Sequence, residues 1–130
     1  MSESHGLRDD PLIPDEEGLY GCIHQLHLDS AEDRPKSATF KSKTNPHPSV
    51  DRASLSTPEQ SLARKPDSIG VACLTAGVVR EFTVGIASNP LPDNRAHAVI
   101  IRDLTLSDNQ WNKTARKLAK ACTWALRRNS

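Results

Sequence analysis

SDNQWNKTARKLAKACTWALRRNS, Ser107 to Ser130, is the stretch whose reading decides the architecture. Ser107 with Gln110 three positions on fits a capping box, in which each side chain satisfies a free backbone N–H of the other. Trp111, Ala115, Leu118, Cys122 and Ala125 recur at steps of four, three, four and three, and Ala119 and Leu126 widen the stripe they form. Ala, Leu, Lys and Arg are good helix formers, and no Gly or Pro interrupts the run. The spacing predicts one amphipathic helix over the whole segment. At about 100° per residue, Lys113, Arg116, Lys117, Lys120, Arg127 and Arg128 gather on the side opposite the stripe, with Trp124 among them. Arg127 and Arg128 also fall in the last turn, where cations favour the helix dipole.

Working back from the helix, AHAVII (Ala96–Ile101) is the clearest strand. NPLPDN (Asn89–Asn94) before it is a turn. Val84–Ala87 and IGVACL (Ile69–Leu74) suit buried strands, and Val78–Phe82 suits a short helix or strand. Thr57 and Pro58 mark a helix start running to about Lys65. Ser49–Leu55 includes a brief strand. In GLYGCIHQLHL (Gly18–Leu28), Leu19, Gly21 and Ile23 alternate with Tyr20, Cys22 and His24, which predicts another strand. Ser30–Pro48 is rich in Lys, Ser, Thr and Pro and reads as a long irregular connection. Residues 1–17 read as a flexible acidic tail, and 18–130 as a single domain. The fold class is therefore α+β: a small, mostly antiparallel sheet packed against a C-terminal amphipathic helix, with a long irregular N-terminal half.

Composition narrows the function classes. Apolar residues make up 36 % of the chain, aromatic residues only 4 %, and prolines number nine. That points to a modest core and much loop. The three cysteines form no CxxC and sit among apolar neighbours, which argues for free thiols in a reducing compartment. The polar, acidic N-terminus is no signal peptide, and no apolar run is long enough to span a membrane. A cytoplasmic protein with no membrane partner is expected. No Walker loop, GxGxxG, GxSxG or HExxH occurs, so no cofactor is expected.

Charge is segregated, although the net is only +1. Residues 1–33 carry nine acidic groups against one basic group, while residues 34–52 and 107–130 are basic. The basic helix face, Lys113, Arg116, Lys117, Lys120, Trp124, Arg127 and Arg128, points to an anionic partner: nucleic acid or an acidic protein surface. Lys and Arg would contact phosphates, and Trp124 would stack on an unpaired base. The plainer reading is a solvated face, or one neutralised by the acidic N-terminus.

Two chemistries compete with binding. His24, His27 and Asp29, with His97, are weak candidates for a metal set, because a strand sends positions 24 and 27 to opposite faces. No metal site is expected. The same histidines with Arg34, Arg52 and Arg80 are candidates for a small phosphate- or nucleotide-handling enzyme, with imidazoles as acid or base and guanidinium groups on the anion. The primary expectation is a non-enzymatic binding module or accessory subunit, partnering nucleic acid, a larger protein subunit or both.

The segments LYGCIH, DRPKSATF, SVDRAS and NRAHAVI resemble, in the same order, the LYxxI, RPxSxxF, SVxxAS and AHAxI segments of small bacterial proteins without an assigned activity. The resemblance covers about residues 19–101. It implies a prokaryotic, cytoplasmic setting and carries no activity with it. Gly21 and Cys22 stand where the resemblance implies an arginine-bearing strand end.

Overall fold

The computed structural model describes residues 7–41 and 46–128. In chain order the elements are strands β1 (Gly18–His24), β2 (Leu28–Asp29), β3 (Arg34–Pro35) and β4 (Ser49–Arg52), helix α1 (Pro58–Ala63), strand β5 (Ser68–Thr75), helix α2 (Ala76–Phe82), strands β6 (Gly85–Ser88) and β7 (His97–Ile101), helix α3 (Asp108–Ala121) and strand β8 (Thr123–Arg127). Short 3-10 turns occupy Gln25–His27 and Ser37–Phe40. Six strands form one antiparallel sheet in the order β6-β7-β4-β1-β5-β8, and β2 with β3 forms a separate ribbon. The architecture is α+β, with α3 packed on one face of the sheet.

Register explains why the two faces differ. Leu19 lies opposite Leu74 on one side and Arg52 on the other, Val50 opposite Ala98, and Ile86 opposite Ile100. Because side chains alternate with a period of two, this places Leu19, Leu74, Val50, Ala98, Ile86 and Ile100 on one face. There they form the main core with Trp111, Ala115, Leu118 and Ala119 of α3. Burying each large aliphatic side chain contributes about 1.5–3 kcal/mol. The opposite face carries a row running Tyr20, Asp51, His97 across β1, β4 and β7, flanked by Cys22, His24 and Ser49. That face is polar in its centre and only partly covered by α1.

The α3 capping box forms in both directions. Gln110 N donates to Ser107 Oγ at 3.1 Å, and Ser107 N donates to Gln110 Oε1 at 2.8 Å. The expected extent of this helix is corrected. It ends at Ala121, Cys122 turns extended (φ −72°, ψ 144°), and Trp124 and Arg127 lie on β8, with Arg128 just beyond it. Two causes combine. β5 would otherwise be an open edge with unpaired backbone groups, and Thr and Trp suit a strand better than a helix. Thr123, Ala125 and Arg127 are exposed while Trp124 and Leu126 are half-buried, the period of two of a strand, which leaves Ala125 of the expected helical stripe on the exposed face.

Residues 7–17 are packed, in contrast to the loose tail expected of them. Ile13 is fully buried in the main core. Arg80 of α2 holds the segment with three donors: Nε to Asp9 Oδ1 at 2.9 Å, Nη1 to Asp15 Oδ1 at 2.7 Å, and Nη2 to the Asp10 carbonyl at 2.8 Å. Gly85 has a φ of 147°, and a Cβ there would collide with the Asp9 carboxylate, so both backbone and space require glycine. Residues 1–6 of the expected tail lie outside the described residues.

Candidate functional site

Two concave surfaces lie next to each other, separated by the 3-10 turn Ser37–Phe40. The first is a groove of about 390 Å³ between that turn and α3. Arg34 and Lys36 line one wall, and Arg116 and Lys120 of α3 line the other. Among the described residues, the single acid in the lining is Asp29. Its Oδ1 accepts the Ala31 and Glu32 N–H groups at 3.1 and 3.2 Å, closing the turn between β2 and β3. Asp33 takes a positive φ of 51° in that turn, which Asp tolerates better than most residues.

Both tryptophans hold this groove in shape. Trp111 Nε1 donates to the Phe40 carbonyl at 2.9 Å, docking the 3-10 turn on α3. Trp124 Nε1 donates to the Asp33 carbonyl at 2.8 Å, docking the β2–β3 ribbon on β8. Arg127 lies 4.6 Å from the Trp124 ring centroid and also pairs with Asp33. A Cβ added at Gly70 would lie 3.1 Å from the Trp124 ring, so the indole also packs closely on β5. Trp124 is thus engaged on several sides.

The expected cationic set divides accordingly. Arg116 and Lys120 face the groove. Lys113 is exposed, and Lys117 sits 5.5 Å from the Phe82 ring centroid. Arg128 Nε donates to the Ser68 carbonyl at 3.2 Å. Among the described residues, no carboxylate forms an ion pair with Lys36, Arg116 or Lys120. Arg34 stands 3.8 Å from the exposed Glu32. Asp9, Asp15 and Glu17 pair with Arg80 and Arg52 instead of with the helix.

The second surface is a cleft of about 690 Å³ on the polar face of the sheet. His24, His27 and His97 all line it, but the arginines of the enzymatic reading do not. Arg52 is spent on Glu17 at 3.2 Å, Arg80 on Asp9 and Asp15, and Arg34 belongs to the groove. The cleft's own cations are Arg64 and Lys65 at the end of α1. Its floor is Asp51, which accepts from Ser61 Oγ at 2.6 Å, Asn94 Nδ2 at 2.8 Å and Arg64 Nη1 at 3.1 Å.

Ring contacts set several tautomers. His24 Nδ1 accepts the Leu26 N–H at 3.1 Å, leaving Nε2–H as the ring's donor. His27 lies 5.8 Å from it between centroids. Burial, and then His24 and Lys36, hold the His27 imidazole below its ordinary pKa, favouring the neutral ring. His97 Nδ1 is 2.9 Å from the Asn89 carbonyl, an acceptor, so Nδ1 carries the proton. Nε2 then accepts from Ser49 Oγ at 3.2 Å. Burial, with Asp51 beside it, pushes the Cys22 thiol up to about 11, and burial, with Cys73 beside it, pushes Cys122 up to about 12. Both are thiols, not thiolates, at neutral pH.

His47, Ser61, Arg64 and Lys65 were not among the sequence candidates, and all line the cleft together with Ser49 and Asp51. The available signal was alternation: Ser49 and Asp51 share a face of SVDR. Among the described residues, no three His, Cys, Asp or Glu side chains group as a metal would need, and no helix is long and apolar enough to cross a membrane. No protein-family model, curated protein or solved structure matches the chain.

Proposed function

We propose that the chain is a nucleic-acid-binding module whose groove takes a single phosphodiester strand. The observation that carries this reading is the placement of Arg34 and Lys36 across from Arg116 and Lys120, with the Asp29 carboxylate in the lining turned to backbone N–H groups. Cations on both walls suit one backbone threaded between them better than a broad duplex surface. Arg offers a planar fork that matches phosphate oxygens, and Lys a mobile point charge. The alternative of a helix neutralised by the acidic N-terminus loses support among the described residues, because Asp9, Asp15 and Glu17 pair with Arg80 and Arg52 and not with α3.

The test is fluorescence anisotropy with labelled 12-nucleotide single-stranded RNA and DNA between 50 and 200 mM salt. Four phosphate contacts give a log–log slope of about −2.8, or about a 50-fold loss of affinity over that range. Arg116→Gln with Lys120→Gln halves the contacts, so the slope falls to about −1.4 and the loss to about sevenfold. No binding at 50 mM, or a slope unchanged by the double substitution, overturns the proposal. Binding to polyglutamate but not to RNA or DNA assigns the groove to an acidic protein instead.

A further inference from the structure

The cleft on the other side of the 3-10 turn contains an arrangement that nucleic-acid binding does not use. Ser49 Oγ lies 3.2 Å from His97 Nε2, and His97 Nδ1 lies 2.9 Å from the Asn89 carbonyl. The sheet register produces this. Ser49 pairs with Val99 and Asp51 with His97, so Ser49 and His97 are diagonal neighbours on one face. The Asn89 carbonyl accepts only, so the imidazole proton is fixed on Nδ1 and the lone pair on Nε2 faces the serine hydroxyl. Backbone geometry keeps that carbonyl in place: Asn89 N donates to the His97 carbonyl at 2.9 Å, closing the NPLPDN turn on β7.

This is the sequence of roles that nucleophilic catalysis needs: a hydroxyl, a base within hydrogen-bond reach, and a third group that orients the base. Here a main-chain carbonyl takes the third role. Ser49 is exposed and lines the mouth of the cleft, so an incoming carbonyl group can reach it. His24, with Nε2–H as its donor, and the cations Arg64 and Lys65 line the same cleft and are the groups available to a developing oxyanion.

We propose that Ser49 is a nucleophile and His97 its general base in hydrolysis of a carboxylic ester bound in this cleft. Ser49 Oγ bonds to the ester carbon as its proton passes to His97 Nε2. The resulting imidazolium keeps its Nδ1–H on the Asn89 carbonyl. The carbon–alkoxy bond breaks, and the departing oxygen takes the Nε2 proton. Water then repeats the step, its proton going to Nε2 and on to Ser49 Oγ as the acid leaves.

The test treats the full chain with a fluorophosphonate probe and locates the adduct by peptide mass, then measures 4-nitrophenyl acetate hydrolysis. The expected result is one adduct, on Ser49, lost in Ser49→Ala and His97→Gln. Hydrolysis should fall about a hundred-fold or more in each. Ser49 is exposed, so Ser49→Ala should keep its fold, and unchanged RNA binding by the groove verifies this independently. A chain that takes up no probe, labels elsewhere, or labels equally well as Ser49→Ala overturns the proposal.

Discussion

Replacing Asp51 with Ala should lower stability by about 2–6 kcal/mol, and the structure shows where that comes from. Asp51 accepts hydrogen bonds from Ser61 at 2.6 Å, Asn94 at 2.8 Å and Arg64 at 3.1 Å. Asn94 is buried, and a buried donor left without an acceptor costs about 1–3 kcal/mol. Ser61 keeps Ser56 Oγ at 2.9 Å as a partner but loses its bond to a charged group, about 1.5–3 kcal/mol. Arg64 is about one-third exposed and recovers water, so it adds little. For a chain of this length the loss lowers Tm by roughly 6–30 °C. Chemical denaturation with thermal melts is the assay, and a double-mutant cycle sharpens it. In Asp51→Ala with Ser61→Ala the bond between the two is lost once, whereas each single change loses it separately, so the pair should be about 1 kcal/mol more stable than the sum of its single changes implies. A single-mutant loss under 1 kcal/mol, or a cycle that is additive, would refute the reasoning that Asp51 organises the floor of the cleft.

Ile13→Ala tests whether residues 7–17 are part of the domain: a fully buried position should cost about 2–5 kcal/mol in urea denaturation, whereas a loose tail would cost nothing. Glu17 governs part of the acid limb of stability. Burial alone would raise its pKa, but the Ser54 N–H and hydroxyl and Arg52 outweigh that and hold the carboxyl below its ordinary value. The unfolded chain therefore binds the proton more readily, and Glu17's contribution is present above the ordinary glutamate range and lost as pH falls through the lower, folded value. Glu17→Gln should flatten the stability profile in that window, and an unchanged acid limb in pH-dependent melts would count against the assignment.

Much of the framework was legible because it is local. The alternation in Gly18–His24, the helix start at Thr57 and Pro58, the capping box at Ser107 and the NPLPDN turn each need only a few neighbouring residues. The end of α3 was not legible. Cys122, Ala125 and Leu126 continue a helical stripe as written, and only the open edge of β5, some fifty residues earlier, draws Thr123–Arg127 into a strand. The packing of residues 7–17 depended on Arg80, whose partners lie more than sixty positions away.

The candidate sites divide along the same line. Charge segregation showed that residues 34–52 and α3 are basic, but their meeting in one groove depends on the β2–β3 ribbon and on two tryptophan N–H bonds to main-chain carbonyls. Trp124, read as a base-stacking group, is one of those anchors. The histidines were visible as residue types. The pairing of His97 with Ser49 requires the register of β4 against β7, which no local pattern in SVDR or AHAVII specifies.

The most direct test of the nucleic-acid groove is an amide-resolved NMR titration of the chain with 12-nucleotide single-stranded RNA. Shifts concentrated at residues 34–38 and 116–120, weakened by added salt, are the predicted result. Shifts confined to β8 around Trp124, or no shifts at low salt, would contradict the account.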